Sequence, residues 1–200
     1  DPRDAPVWYL SDLYASREDA RIEADLARTR GMVDELNALQ GRLVGARTEP
    51  AVLGERLDRA VTLYEQASDI LGALGTYSFL AASTDRNDAA AQGFEATVRE
   101  KLTAIATPTV WVTLEVNQLE EPEIEAALAA WPVAARWRPW LRRVRAMKPH
   151  ELSSELETFL AERGPISAQW PRLFDETLAA MKVKAGKDEL TLSQALNRLS

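Results

Sequence analysis

A chain of 200 residues is long enough for one sizeable domain or two small lobes. Its 31 acidic against 24 basic residues, a net charge of -7, oppose general nucleic-acid binding, and the lack of cysteine excludes disulfides and thiolate chemistry. No apolar run approaches the roughly 20 residues that cross a bilayer, and Asp1–Pro6 lacks the basic-then-apolar pattern of a secretory signal; the chain is expected to be cytoplasmic, with neither nucleic acid nor membrane as partner.

The stretch from Val7 to Tyr14 is aromatic and non-periodic, which predicts an extended arm packing its rings onto the domain. Ser16 and Asp19 form a weak capping pattern, and a first helix is expected from about Arg17 to Val44, ended by Gly45. Its apolar stripe is Ile22, Leu26, Val33, Leu36, Leu39 and Leu43. Pro50 suits the first turn of a second helix reaching about Ala82. Its seam alternates fours and threes through Leu53, Leu57, Ala60, Tyr64, Ala67, Leu71, Leu74, Ser78 and Ala81. Gly54, Gly72 and Gly75 each cost about 1 kcal/mol against Ala in a helix, a cost consistent with close approach of a neighbouring helix.

A polar connector, 83–88, precedes a third helix from about Ala89 to Asn117, kinked at Pro108, with Phe94, Val98, Leu102, Ile105, Val112 and Val116 on one side. Three long helices with short turns read as an antiparallel bundle. After a weak boundary at Gln118–Pro122 the elements shorten: helices at Pro122–Ala130, Pro139–Met147, His150 to Gly164-Pro165 and Pro171–Ala180, then a hairpin over 181–191 turning at Gly186. The fold class is therefore all-α, mostly: a long helical bundle (1–117, with the aromatic arm) followed by a smaller helical lobe (118–200) with one β-hairpin. Thr191 to Ser200 reads as an unfinished amphipathic helix with Leu192, Leu196 and Leu199 on its apolar face. The chain is thus expected to be part of a longer polypeptide.

Chemistry is sparse. A zinc peptidase needs two histidines one helical turn apart with a carboxylate beside them, but His150 is the one histidine present. His150-Glu151 leads to Ser154, not to a second imidazole, so His150 reads as a residue at a helix start. The carboxylates Glu120, Glu121, Glu123 and Glu125, and Glu151, Glu155 and Glu157, read as solvated helix faces. No phosphate loop, dinucleotide fingerprint or nucleophile elbow occurs. The basic-aromatic run Arg136-Trp-Arg-Pro-Trp-Leu-Arg-Arg-Val-Arg145 is open to three readings. It packs internally, with Trp140, Leu141 and Val144 inward and its arginines neutralised by the acidic helix that follows; or it faces a peptide or protein partner; or it stacks single-stranded nucleic acid. No catalytic, cofactor-binding or metal-ligating residue is assigned.

Six stretches resemble the N-terminal region of the oligoendopeptidase F family, zinc metallopeptidases of the thimet-oligopeptidase type. They are Trp8–Ser16, similar to the family's W-x-L-S-D-L-Y arm; Glu23–Leu26 in its first helix; Trp111–Asn117; Lys148–Glu157, similar to its P-H-x-L-S-E-E-x-E pattern; Arg172–Thr177; and Leu190–Asn197. They occur in the family's order and cover most of the chain. The resemblance implies a helical, non-catalytic wall of a deep channel that admits short peptides. The opposite wall would carry H-E-x-x-H and zinc, in a C-terminal catalytic domain beyond Ser200, and the partners would be that domain and an oligopeptide. Without it the piece should be inactive and should leave a large apolar surface uncovered. The alternative is a stand-alone helical adaptor for a protein partner.

Overall fold

The computed structural model describes residues 9–84 and 88–198, and the helical architecture with one small hairpin is as the periodicity predicts. Helix α1 (Ala20–Asn37) begins later than expected, because Asp19 rather than Ser16 is its cap. The Asp19 carboxylate accepts from the Arg21 and Ala15 amides and is gripped by the Arg21 guanidinium. These donors, Arg21 foremost, hold its carboxyl far below the usual carboxylate range.

The arm over 10–14 is a turn, not an extended strand: the Leu13 and Tyr14 amides both donate to the Leu10 carbonyl. Trp8 lies outside the described residues, and Tyr9 is 82% exposed. Tyr14 does pack inward, its hydroxyl donating to Asp25 at 2.9 Å. Burial, then that bond, push its pKa up to about 12. Its ring meets Tyr77 edge-on at 5.3 Å, and Tyr77 meets Phe94 at 6.1 Å, so one aromatic row links the arm to two helices.

Helix α2 (Pro50–Ser83) runs back along α1. The antiparallel sense follows from the two core clusters. Ile22, Leu26 and Val33 pack with Ala67, Leu74 and Tyr77 at one end, whereas Leu36 packs with Leu53 and Leu57 at the other. Helix α3 (Ala89–Ala106) is capped by Asp88, whose side chain accepts from Ala90 and Ala91. Those bonds hold its carboxyl below the usual value. The kink expected at Pro108 is a full break: a 3-10 turn, Thr107–Thr109, separates α3 from α4 (Trp111–Gln118).

The first helix also ends earlier than the periodicity suggested. Gly41, at φ 76°, and not Gly45, is the left-handed residue, and 44–46 form a 3-10 turn. The cause is a distant residue. Glu115 of α4 is 5% exposed, and its carboxylate accepts from the backbone N–H of Gly41 at 2.8 Å, Leu43 at 2.8 Å and Val44 at 2.9 Å. A buried carboxylate needs such donors, and this loop supplies them in place of further helix. Trp111, one turn earlier, donates its indole N–H to Asn37 Oδ1, fixing the end of α1 to the same helix.

Helix α5 (Glu121–Ala130) lies on the start of α2. A Cβ added at Gly54 would stand 2.4 Å from Trp131 Cβ and 2.5 Å from the Ala127 carbonyl oxygen, so this glycine is what admits the close approach. Gly72 has nothing within 4 Å, and Gly75 only Leu102 at 3.3 Å. A 3-10 stretch, Pro132–Trp137, then leads into α6 (Arg138–Met147). One core joins Leu53, Leu57 and Leu63 of α2, Val112 and Val116 of α4, Ile124 and Leu128 of α5 and Leu141 of α6. It runs straight through the 118–122 stretch at which the sequence suggested a division.

A 3-10 turn, Lys148–His150, precedes α7 (Ser154–Ser167), which starts at the Ser153 cap and not at His150. Pro165 sits inside α7 rather than ending it. Helix α8 (Gln169–Ala180) is followed by β1 (Lys182–Ala185) and β2 (Asp188–Thr191), antiparallel with Val183 opposite Leu190, and turned at Gly186, φ 66°. Helix α9 (Leu192–Asn197) opens on a Thr191–Gln194 capping box; the Leu199 expected on its apolar face lies outside the described residues.

Two substitutions test this account. Glu115→Ala strands three amide donors, and each unsatisfied buried group costs about 1–3 kcal/mol; urea unfolding should show a loss of about 3 kcal/mol or more, with Glu115→Gln between it and the parent. Gly54→Ala overpacks the α2–α5 contact and should cost about 1–3 kcal/mol, whereas Gly72→Ala, with open space around it, should be neutral or stabilising.

Candidate functional site

The basic-aromatic run of 136–145 is the most chemically pointed part of the sequence. Much of it is spent inside the fold. Arg136 donates to Asp58 and Thr62 of α2 and lies over the Trp137 ring at 4.6 Å. The Trp137 indole also donates to Asp58, at 2.8 Å. Arg138 pairs with Glu125. Arg145 donates to the Leu119 carbonyl and pairs with Glu121. Leu141 is buried, and Trp140 and Val144 pack against the core. The neutralising acids therefore come from α2 and α5, not from the following helix as the sequence suggested. The side chains of α5 reach α6 through the Arg138–Glu125 and Arg145–Glu121 pairs, whereas the helices next to α7 are α3 and α8.

The carboxylates of 120–125 are correspondingly less idle than solvated faces. Glu123 closes a capping box on the Glu120 amide, Glu121 and Glu125 face α6, and Glu120 lies 3.7 Å from Lys148. Two carboxylates that sequence reasoning did not single out are buried: Glu95, paired with Arg99, and Glu115. Nothing in the local pattern of Glu115 marks it, since its donors lie about seventy residues earlier in the chain.

Arg142 and Arg143 are different. Both are exposed, and neither makes an ion pair among the described residues. Arg143 lies at the junction of two clefts on either side of Trp140. The first, ≈ 570 Å³, has an apolar floor of Val110, Leu114, Val144 and Met147, with Tyr64 and Trp140 (ring centroids 5.9 Å apart) as its wall. His150, Glu151 and Glu157 lie along its rim. Asn117, 2% exposed, donates Nδ2 to Glu151 and to the Val144 carbonyl. The second cleft, ≈ 600 Å³, is edged by Glu65, Asp69 and Arg136.

The second feature is apolar. Helices α7 and α8 contain no buried residue. At helical spacing they expose Leu156, Phe159 and Leu160, then Trp170 (73% exposed), Leu173 and Phe174 (63% exposed). These are aligned stripes, not the scattered single side chains that any surface carries. The bundle behind them is sealed around two clusters of buried side chains. Among the described residues no helix is long and apolar enough to cross a membrane.

Residues 115–182, from α4 to the start of the hairpin, match the N-terminal peptidase family profile described as Oligopeptidase F. Over this segment the chain is similar to the oligopeptidase F N-terminal region. A second similarity extends it in both directions: over 189 residues, 92% of this chain, the sequence is 20% identical to Oligopeptidase PepF of Bacillus subtilis (strain 168). The chain spans 27% of the length of that relative. No solved structure matches it. The matched segment contains both features described above: the α6 arginines that border the clefts, and the α7–α8 stripes.

Because the stripes carry no packing of their own, Trp170→Ser with Phe174→Ser should leave thermal stability within about 0.5 kcal/mol of the parent. The same pair should reduce binding of the apolar dye ANS. A large loss of stability would mean that the stripes are covered within this chain.

Proposed function

We propose that this chain is the non-catalytic N-terminal wall of a zinc-dependent oligopeptidase that hydrolyses short peptides in an enclosed channel, where the rigid bundle limits substrates by size. The observation that carries this reading is the pair of exposed apolar stripes on α7 and α8, within the segment of oligopeptidase F type. Apolar surface on this scale lowers its free energy when covered, at roughly 25 cal/mol per Å². The cover we propose is the catalytic domain of the same polypeptide, and a cytoplasmic location accords with the lack of cysteine.

His150 is exposed and is the one imidazole present, and among the described residues no group of three or more His, Cys, Asp or Glu is placed to hold a metal ion. In this reading zinc and the peptide-cleaving groups belong to the catalytic domain. The wall's part is mechanical and steric: a bundle braced by Glu115 and by the Gly54 contact resists the deformation that a folded protein would need in order to enter. A stand-alone adaptor would use the same stripes on a separate protein.

Reading the coding sequence past codon 200 tests the proposal. An H-E-x-x-H in the continuation supports it; a stop codon there overturns it in favour of the adaptor. In the full polypeptide, Trp170→Asp with Phe174→Asp should lower kcat/KM for short peptides by about tenfold or more, equivalent to about 1.4 kcal/mol of lost domain contact. The isolated 200 residues should show no zinc-dependent hydrolysis.

A further inference from the structure

We propose that the cleft between α4 and α6 is itself a peptide-binding site, in which Arg143 takes the C-terminal carboxylate of a short peptide and Glu151 and Glu157 face its ammonium end. The ligand class rests on the function proposed above; the site rests on the geometry of this chain.

Arg143 is an exposed guanidinium without an ion pair among the described residues, on a helix where Arg138 and Arg145 are both neutralised. A guanidinium presents a planar fork of donors that fits a carboxylate in bidentate fashion. It borders the cleft beside the Tyr64–Trp140 wall. Glu151 and Glu157 border the same cleft from beyond the end of α6. Each is held in place by one oxygen: Glu151 Oε1 accepts from Asn117, and Glu157 Oε1 accepts from the Leu152 amide. The second oxygen of each has no hydrogen bond among the described residues, and neither carboxylate makes an ion pair there. Burial beside them leaves Asn117 Oδ1 without a donor. Flipping the amide would set its oxygen against two acceptors, so Nδ2 is the atom turned to the carboxylate.

The spacing selects the length of the ligand. From Arg143 to Glu151 the chain makes one turn of α-helix and one of 3-10 helix, a rise of about 13 Å. An extended tripeptide spans about 11 Å, a length of the same order. Between the charged ends lie Val144, Met147 and Leu114, which suit an apolar central side chain. A cleft of ≈ 570 Å³ is of the size that holds such ligands. Cation at one end, carboxylates at the other and an apolar middle are the complement of a zwitterionic peptide, and of neither a polyanion nor a purely apolar helix.

Titration of the 200-residue chain with Ala-Phe-Ala, followed through the backbone and indole N–H signals in NMR, tests this. The free tripeptide should shift the Trp140 indole and α6 amides, and its C-terminal amide and its N-acetyl form should each bind at least about tenfold more weakly. Arg143→Gln should abolish the difference between free acid and amide while keeping that between free and acetylated amine; Glu151→Gln should do the reverse. Both side chains are outside the core, so the parent spectrum reports that each variant is folded. Equal binding of all three peptide forms, or no binding up to about 10 mM, overturns the proposal. That failure leaves the channel-wall reading standing, since the latter depends on the α7–α8 stripes and the downstream sequence.

Discussion

The bundle depends on one buried negative charge. Glu115 lies on α4, more than seventy residues from the loop it organises, yet its two oxygens take the amides of Gly41, Leu43 and Val44. A carboxylate out of water is costly until donors surround it. The chain meets that demand by stopping α1 at Asn37 and presenting three backbone N–H groups that a longer helix would have bonded to its own carbonyls. The same helix α4 donates the Trp111 indole N–H to Asn37, and its Val112 shares one core with Leu43 and Ala46 of the loop. Polar and apolar contacts thus hold the end of α1 to α4 together.

Around this anchor the molecule is uneven. From α1 to α6 the apolar stripes are used: they face one another in two clusters, and the aromatic row from Tyr14 to Phe94 joins the arm to α2 and α3. From α7 onward Leu190 alone of the described apolar side chains is buried. The distinction is physical and not one of composition, since α7 and α8 are as apolar along their stripes as α1. What differs is the supply of neighbours. The bundle has Gly54, which lets α5 descend onto α2, whereas α7 rests on α3 and α8 with no side chain of either α7 or α8 buried. The result is an open lobe on a braced bundle.

The α6 arginines divide along the same line. Arg136, Arg138 and Arg145 are part of the brace, tied to Asp58, Glu125 and Glu121. Arg142 and Arg143, on the turn between them, are left to solvent and the cleft. A run of five arginines read as one basic patch is therefore two structures, one holding α6 to the bundle and one available for a ligand.

Much of this was legible in the linear chain. The stripe of Ile22, Leu26, Val33 and Leu36, the 34-residue α2 opened by Pro50, a disturbance at Pro108 (expected as a kink, found as a break) and the hairpin about Gly186 follow from local rules: period 3.6, proline's missing donor, glycine's tolerance of positive φ. The similarity carried by Lys148–Glu157 and Arg172–Thr177 falls within the matched segment and was likewise visible in residue order alone. The start of α7 was misplaced because Pro149 and Ser153 are both acceptable openings, and only the hydrogen bond from the Leu156 amide to Ser153 chooses between them. What local rules could not supply is which distant groups come within 3 Å of each other. That Glu115 is buried, that Gly54 and not Gly72 is the point of close approach, that Arg145 finds Glu121 while Arg143 makes no ion pair among the described residues, are outcomes of tertiary packing. Helix propensity and periodicity act over four residues, so the sequence by itself determined the rods and their faces; the partners of each face were decided by tertiary packing, which alone brings a carboxylate to amides seventy residues away.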